Sequence, residues 1–466
     1  MSRGTQRLTR RSFLATAAVA GAGAFVSPWS FGQAPGVLTK RRPNILLLST
    51  DQWHADVFSH LGYPGLQTPA SDRIAARSLS FKRAYATNPV CTPARASWLT
   101  GRMPSEILTT GNRVVRSVPD LGQWFGKHGY DTAHLGKFDF PGRNGPASFR
   151  VISGIHPIGQ YADSTVAQMV RSYLLDRAQD KPFLMHCALM NPHDICLASC
   201  MFSNRGNLPV PLDELPPLPD SFNARPDEPQ AVAQRVRKSQ RRAMSWSWDE
   251  TDWRLYVWLY YRCCEMVDVA IGQVVDALDA SGEADNTLLV YTSDHGDGLA
   301  RHGMHTKGYL YESSARVPLY ISLPGQIPQG VTDERTLTSG IDLFPTFCSL
   351  AGIPMPPDLC GNDLLRRYGE NGAGTRPRDV LVTEAPFDGR MARDERYKLI
   401  TYSGDSVVQL FDLQDDPGET RSVAADHPEI VKRLTAAMEQ FAARLKPVVP
   451  APAARKEPQT ADDANE

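Results

Sequence analysis

The chain has 466 residues, of which 42% are apolar and 22% are charged, and its formal net charge at pH 7 is −1. This length is sufficient for one large core and a second, smaller unit, and the balanced charge is typical of a soluble globular protein. No basic patch favours nucleic acid as a partner, and after residue 34 no apolar run approaches the length of a transmembrane helix.

The first 34 residues predict an export signal. The pair Arg10-Arg11 precedes a weakly apolar, Ala/Gly-rich run from Ala15 to Phe25, and Gly32-Gln33-Ala34 ends in a small residue suited to cleavage. This arrangement resembles a twin-arginine signal, and the apolar run is too short to span a bilayer with margin. We therefore expect residues 1–34 to be removed, the twin-arginine translocase to be a partner, and the mature protein to be periplasmic or otherwise exported.

A large domain over residues 40–352 is predicted, because short apolar runs there alternate with segments of helical period. This pattern is typical of an α/β sheet with helices on both faces. Four runs end in polar residues: Ile45–Thr50 before Asp51-Gln52, Asp131–Gly136 before Lys137, Phe183–Met190 shortly before His193, and Thr287–Ser293 before Asp294-His295. Since open α/β sheets bind ligands beyond the carboxyl ends of their strands, these polar residues can converge on one crevice.

A helix is predicted at the run Cys91-Thr92-Pro93-Ala94-Arg95. Pro93 fixes φ and lacks an N–H group, which suits the first turn of a helix, and Gly101 can end it. Cys91 then lies at the amino end, with Arg95 about one turn further along on the same face. The free N–H groups of the first turn and the guanidinium both favour an anion at this position.

The remaining segments predict an insertion, a second unit and a tail. The Pro/Asp-rich region from about Asn204 to Glu250 predicts a long insertion or loop that shapes substrate access. A smaller α+β unit is expected at 375–446, with strands at Arg390–Thr401 and Val407–Leu413 and a helix at Pro428–Leu445. The Ala/Pro/charge-rich residues 447–466 are expected to be disordered.

Several stretches resemble the type I, formylglycine-dependent sulfatases of the alkaline phosphatase superfamily. They are the Cys91 to Arg95 run with the following Ala-Ser-Trp-Leu-Thr-Gly-Arg, the opening Arg42-Pro43-Asn44, the aromatic run Tyr256–Val267, and the C-terminal Arg396–Ile400, Leu410–Leu413 and Asp416–Glu419. The resemblance covers nearly the whole mature chain. It implies a large mixed sheet flanked by helices, a smaller C-terminal α+β subdomain with a short antiparallel sheet, and sulfuric ester hydrolase activity.

The resemblance implies that a formylglycine-generating enzyme oxidises Cys91 to an aldehyde. One hydroxyl of the hydrated aldehyde attacks the sulfur of a sulfate monoester. Loss of the proton from the second hydroxyl then expels sulfate, a step that the sulfate ester of a serine cannot take because it lacks the second hydroxyl. The implied ligands of one divalent cation are Asp51, Gln52, Cys91, Asp294 and His295. Their hard oxygen atoms place Ca²⁺ first, with Mn²⁺ or Mg²⁺ as alternatives.

The resemblance also assigns the remaining site residues. Arg95, Lys137 and Lys307 surround the sulfate with positive charge, and His193 faces the oxygen of the leaving group. Asp139 stands where the family has a histidine that helps deprotonate the diol, so either Asp139 is the base or the step is assisted from elsewhere. His302 and His305 are further candidates close to Lys307.

Two other functions stay open on the sequence. Gln52 and His295 replace residues that are often Asp and Asn in sulfatases, and the Asp-Gln with Asp-His combination also occurs in relatives that cleave phosphonate monoesters and phosphodiesters. Asp139 is also compatible with a non-catalytic descendant that binds sulfated glycans. Sulfated carbohydrate is the broadest expectation for the substrate, followed by small sulfate esters such as choline sulfate, and the oligomeric state is open.

Overall fold

The computed structural model describes residues 41–109, 113–153, 158–197, 210–243, 245–368 and 378–448. The predicted signal at 1–34 and most of the predicted tail at 447–466 lie outside these ranges. Within the described ranges, no helix has both the length and the apolar content needed to cross a membrane.

The strands are β1 Asn44–Asp51, β2 Leu79–Phe81, β3 Ala84–Tyr85, β4 Leu108–Thr109, β5 Arg113–Val114, β6 Asp131–Gly136, β7 Arg150–Ser153, β8 Phe183–Pro192, β9 Thr287–Ser293, β10 Leu319–Ser322, β11 Val331–Asp333, β12 Thr338–Ser339, β13 Leu381–Ala385, β14 Gly389–Arg393, β15 Tyr397–Tyr402 and β16 Gln409–Asp412. The α-helices are α1 Pro69–Ala76, α2 Cys91–Thr100, α3 Pro104–Ile107, α4 Leu121–Lys127, α5 Gly145–Ser148, α6 Gly159–Asp176, α7 Gln230–Ala243, α8 Glu250–Ala280, α9 Glu312–Ala315, α10 Leu343–Ala351 and α11 Pro428–Arg444.

The central sheet has eight strands among the described residues, in the order β11-β2-β10-β9-β1-β8-β6-β7. Strands β9, β1, β8, β6 and β7 run parallel to one another, whereas β10 is antiparallel to both β9 and β2. The predicted large mixed sheet is therefore confirmed. The four strands predicted to end in polar residues are also confirmed, and they lie side by side as β9-β1-β8-β6.

Strand β1 is buried along its whole length because helices cover both faces of the sheet. Leu46 and Leu48 pack in an apolar cluster with residues of α1, α6 and α8. Ile45 and Leu47 point the other way and pack with residues of α2, α4 and α10. The two-residue period of a strand thus divides one continuous apolar run between two cores, as expected for a central parallel strand.

The C-terminal part forms a four-stranded antiparallel sheet, β13-β14-β15-β16, against which α11 packs. This confirms the short antiparallel sheet and the predicted helix. The prediction of one strand from Arg390 to Thr401 is wrong, because the chain reverses between β14 and β15. Asp394 makes this turn without glycine, since its Oδ1 accepts hydrogen bonds from the backbone N–H groups of Arg396 at 2.8 Å and Tyr397 at 2.6 Å.

The predicted long loop between Asn204 and Glu250 contains the 14-residue helix α7. Residues 204–209 and 244 of this region lie outside the described residues. Ala, Gln and Arg are strong helix formers, and the α7 sequence contains neither Gly nor Pro, so the Pro-rich stretch before it concealed the helix. Val232 of α7 is buried with Tyr309, which holds the helix beside the loop that contains Lys307.

Candidate active site

The four neighbouring strands bring their polar ends to one edge of the sheet. Asp51 ends β1, Asp294 and His295 follow β9, and Cys91 approaches from α2. Ligand atoms of these four residues all lie within 4.8 Å of one another. Asp51, Asp294 and His295 have no exposed surface, and Cys91 is 7% exposed. The predicted convergence on one crevice is therefore present in the structure.

Cys91 is the first residue of α2, which ends at Gly101 with φ +69°, as the sequence predicts. Its Sγ lies 3.2 Å from His295 Nε2 and 3.7 Å from Asp51 Oδ1. Burial, together with the carboxylates of Asp51 and Asp294, raises the pKa of the Cys91 thiol to about 12. In these surroundings an unmodified thiol is protonated at pH 7 and is a weak nucleophile.

Arg95 joins the two carboxylates. Its Nε donates to Asp294 Oδ2 at 2.8 Å, and its Nη2 donates to Asp51 Oδ2 at 3.2 Å. The side chain is 1% exposed, and Nη1 has no hydrogen-bond partner among the described atoms. These contacts were not indicated by the sequence, and through them the guanidinium fixes the strand ends of β1 and β9. The reach of Arg95 toward the group on Cys91 stays a prediction.

Lys137 reaches Asp51 because β6 runs very close to β8. Gly136 has φ +98°, and a Cβ there would lie 2.0 Å from the carbonyl oxygen of Ala188, so only glycine fits. Lys137 Nζ lies 2.5 Å from Asp51 Oδ2, and Lys307 Nζ lies 3.8 Å from Asp51 Oδ1. Burial alone would raise the pKa of Asp51, but the charges of Lys137 and the other cations hold it well below its ordinary value.

The hydrogen bonds of His295 fix which ring nitrogen carries its proton. Nδ1 lies 2.9 Å from the carbonyl oxygen of Gly296, which only accepts, so Nδ1 is the protonated atom. The lone pair of Nε2 then points toward Cys91 and the two carboxylates. A neutral imidazole oriented through its other nitrogen is the usual form of a histidine metal ligand.

Gln52 is fully buried and has φ +73°, an uncommon conformation for a residue other than glycine. Its Oε1 accepts a hydrogen bond from Lys307 Nζ at 2.6 Å, and its Nε2 donates to Asp297 Oδ2 at 2.6 Å. Tyr256 OH donates to the same carboxylate at 2.9 Å. The sequence analysis missed Asp297 and Tyr256. Asp297 could have been noticed, because it is the third polar residue in the run from Asp294 to Asp297.

His193 begins a 3-10 turn directly after β8 and is half-buried. The turn is held to the start of α6, because Asp194 accepts hydrogen bonds from the N–H groups of Gly159 at 2.9 Å and Gln160 at 2.8 Å. Burial lowers the pKa of His193, and the nearby cations add to this effect while Asp51 opposes it. The imidazole is therefore neutral at pH 7.

The other candidates have structural partners. Asp139 Oδ1 accepts a hydrogen bond from Thr92 Oγ1 at 2.7 Å, which places it beside the first turn of α2. His302 Nε2 lies 3.1 Å from the carbonyl oxygen of Glu419, and His305 Nε2 lies 2.8 Å from Ser245 Oγ. His302 is thus bound to the C-terminal part of the chain, whereas His305 lines a cavity next to Lys307.

Known proteins with similar sequences and structures match most of the chain. The sulfatase family profile matches residues 43–353, and the N-sulphoglucosamine sulphohydrolase C-terminal profile matches residues 300–444. A Delta 4,5-hexuronate-2-O-sulfatase of Bacteroides thetaiotaomicron is 28% identical over 436 residues, covering 87% of this chain and 90% of the relative. A solved 2-O GAG sulfatase has 26% identity and a TM-score of 0.75, covering 87% of this chain and 92% of its own. The phosphonate monoester hydrolase of Agrobacterium radiobacter shares the fold, with 24% identity, a TM-score of 0.71, and coverage of 86% and 95%.

The sulfatase profile spans more than half of the chain and contains all of the site residues from Asp51 to Lys307. The mixed sheet, the flanking helices and the C-terminal antiparallel sheet agree with this match. The chain therefore belongs to the sulfatase family and is a sulfuric ester hydrolase.

Proposed function

We propose that this sulfatase hydrolyses a sulfate monoester of a carbohydrate, using one divalent cation and a formylglycine made from Cys91. The observation that supports it most is that ligand atoms of Asp51, Cys91, Asp294 and His295 lie within 4.8 Å of one another. A cation with ligand bonds of about 2.1 to 2.4 Å allows separations of this size. The residues present therefore fit a single bound ion.

The donor set favours a hard cation. Two carboxylates and the amide oxygen of Gln52 suit Ca²⁺, which we place first, while the imidazole of His295 makes Mn²⁺ the strongest alternative. When bound, the cation and the hydrated aldehyde supply a polarised hydroxyl nucleophile at the sulfur atom. The protein's own residues hold this arrangement, because Arg95 ties the carboxylates of β1 and β9 together.

Lys137 and Lys307 are assigned to the sulfate. Both ammonium groups already lie beside Asp51, at 2.5 and 3.8 Å, so each can turn toward a sulfate oxygen while staying close to the metal centre. Lys307 lines the adjacent cavity together with His193, and we assign these two residues to the oxygen of the leaving group. Stabilising the charge that moves onto this oxygen lowers the barrier to ester cleavage.

Asp139 is the proposed acceptor for the proton released at the residue-91 position. One of its oxygens holds Thr92, the neighbour of Cys91, and within the described chain no hydrogen bond engages the other oxygen. Asp139→Asn keeps the Thr92 contact and removes the base. We expect slower turnover with the metal affinity preserved, and equal turnover would exclude Asp139 as the base.

The carbohydrate substrate is proposed from the relatives. The named hexuronate-2-O-sulfatase and 2-O GAG sulfatase act on sulfated sugars, and each match covers 87% of this chain. A sulfate-release screen over sulfated saccharides and small esters such as choline sulfate tests this assignment. Release from choline sulfate alone would contradict it.

Export and maturation form the second part of the proposal. Arg10-Arg11 and the following apolar run predict a twin-arginine substrate, a route that carries folded proteins and so permits cysteine oxidation and metal loading before export. Mass spectrometry of protein from the native host should give a mature chain starting near Ala34. The Cys91 peptide should show the mass loss of thiol-to-aldehyde conversion, and an unmodified thiol in fully active enzyme would contradict the maturation step.

A phosphonate monoester or phosphodiester hydrolase is the second candidate function. The observation that favours it is the presence of both Gln52 and His295 in a fold shared with a phosphonate monoester hydrolase. The two functions are separated by comparing kcat/KM for 4-nitrophenyl sulfate and for an aryl phosphonate monoester on one preparation. Our proposal requires the higher value for the sulfate.

A further inference from the structure

The cavity beside the candidate metal centre has one wall made by α7. Its volume is about 180 Å³, and it is lined by His193, Cys196, Arg235, Lys238, Ser239, His305, Thr306 and Lys307. At its inner end, Lys307 Nζ lies 2.6 Å from Gln52 Oε1. The cavity therefore adjoins the candidate metal centre, and the proposed function assigns the leaving group of the sulfate ester to it.

Among the described residues, the lining of this cavity carries three cations and no carboxylate. Helix α7 contributes two of the cations, and its sequence contains Arg235, Arg237, Lys238, Arg241 and Arg242 without any Asp or Glu. Cations gathered at a concave surface raise the local concentration of anions. The charge of the cavity thus extends beyond what one sulfate group requires.

The cations of the cavity have different partners. Arg235 donates to the carbonyl oxygen of Lys307 at 2.8 and 3.2 Å, and it lies so close to Gly308 that a Cβ there would be 2.4 Å from Nη2. Lys307 itself is bound to Gln52. Lys238, by contrast, is exposed, and in the described part of the chain no hydrogen bond or ion pair engages its ammonium group. Residues 235, 238 and 239 lie on one face of the helix, so Lys238 is on the same side as Arg235.

We propose that this cavity is a subsite for a second anionic group of the substrate, a carboxylate or an additional sulfate, which Lys238 binds. The inference rests on the proposed function, because it takes the scissile sulfate to lie at the metal centre. An oxyanion at Lys238 gives this ammonium group the partner that it lacks and offsets its repulsion with Arg235 and Lys307. The preferred substrates are then sugars that carry at least two negative charges.

The test compares Lys238→Ala with Arg237→Ala. Arg237 is exposed on the same helix but does not line the cavity, so the control removes the same charge from the helix. Activity is measured on a hexose monosulfate and on two doubly charged counterparts, a hexose disulfate and a hexuronic acid monosulfate. For Lys238→Ala we expect kcat/KM for a doubly charged sugar, relative to the monosulfate, to fall about tenfold. For Arg237→Ala the ratio should change less than about twofold.

The two counterparts distinguish the sources of the second charge. A loss confined to the hexuronic acid assigns a carboxylate to Lys238, and a loss confined to the disulfate assigns a second sulfate. A ratio that stays within about twofold of the unmodified enzyme for both sugars overturns the subsite.

A binding measurement tests the subsite without depending on turnover. The same sugars are titrated calorimetrically onto Cys91→Ala and onto Cys91→Ala/Lys238→Ala, and equal dissociation constants in the two proteins also overturn the subsite. Turnover of 4-nitrophenyl sulfate, which has no second charge, tests the proposed function independently.

Discussion

Replacing Asp297 by asparagine should weaken metal binding, although Asp297 is not a candidate ligand. Its fully buried carboxylate accepts hydrogen bonds from Gln52 Nε2 at 2.6 Å, from the N–H of Leu299 at 2.7 Å and from Tyr256 OH at 2.9 Å. Because a carboxylate only accepts, it holds the amide nitrogen of Gln52 toward itself and leaves Oε1, the proposed ligand atom, facing Lys307. Asp297→Asn has the same shape but removes this constraint.

The expected size of the effect follows from the hydrogen bonds at stake. An asparagine at position 297 offers one oxygen, so whichever way its amide turns, its NH₂ group faces either Gln52 Nε2 or the N–H of Leu299. If Gln52 turns over in response, its NH₂ faces Lys307 Nζ and the 2.6 Å hydrogen bond to Oε1 is lost. A buried hydrogen bond to a charged group contributes about 1.5 to 3 kcal/mol. We therefore expect metal affinity and kcat/KM to fall about 10- to 100-fold, as is usual when a partner of a ligand is removed.

The assay is calorimetric titration of the metal-free protein with Ca²⁺ and Mn²⁺, followed by kcat/KM on 4-nitrophenyl sulfate. Tyr256→Phe keeps the carboxylate and removes one of its donors, so its loss should be smaller than that of Asp297→Asn. Tyr261→Phe is the matched control, because it removes a buried hydroxyl from the same helix that contacts neither Gln52 nor Asp297. If folded Asp297→Asn binds both ions within about twofold of the unmodified protein, the orientation argument is wrong.

Three further predictions concern the nucleophile, the metal and the C-terminal sheet. Cys91→Ala should abolish turnover and leave the fold intact. Cys91→Ser should at most trap one sulfate per active site, which mass spectrometry would detect. Sustained turnover by both variants would show that Cys91 has only a structural role. Chelation should abolish activity and lower the unfolding temperature, because an ion that binds only the folded protein stabilises it by mass action. Added Ca²⁺ should restore both, and no change on chelation would exclude the metal. Lys398→Met removes a fully buried ammonium group that lies 3.0 Å from Glu312 and also pairs with Glu419. Chemical denaturation should therefore show that the free energy of unfolding falls by about 3 kcal/mol. The control Lys432→Met, at an exposed position, should leave it almost unchanged. A loss below about 1 kcal/mol for Lys398→Met would refute the pairing argument.

The sequence predicted the parts of this site that depend on short-range patterns. Each of the four strands could be recognised from an apolar run followed by polar residues, and α2 from Pro93 near its start and Gly101 at its end. The turn at Asp394 was missed because it relies on an aspartate side chain instead of glycine. Helix α7 was missed because Pro and Asp residues just before it dominated the composition of the region.

The contacts that tune the site could not be predicted, since they join residues far apart in the chain. Gln52 and Asp297 are 245 positions apart, and nothing near either residue indicates that the other is its partner. The same holds for Arg235 and Lys307, where a helix in an apparent loop supports a lysine from another segment. Ligand types can be read from local motifs, whereas the partners that orient the ligands depend on the order of strands in the sheet.

Charge alone does not explain which ester this enzyme cleaves. The net formal charge of the metal centre is positive. The three cations Arg95, Lys137 and Lys307 exceed the two carboxylates of Asp51 and Asp294 by one charge, and a divalent cation raises this excess to three. Sulfate monoesters, phosphonate monoesters and phosphodiesters each carry one negative charge, so the metal centre attracts all three. Charge therefore does not separate the three classes, and selection among sulfate esters must come from the leaving group, which we place in the cavity bounded by α7. The segment that the sequence described least well is thus the one expected to decide the substrate.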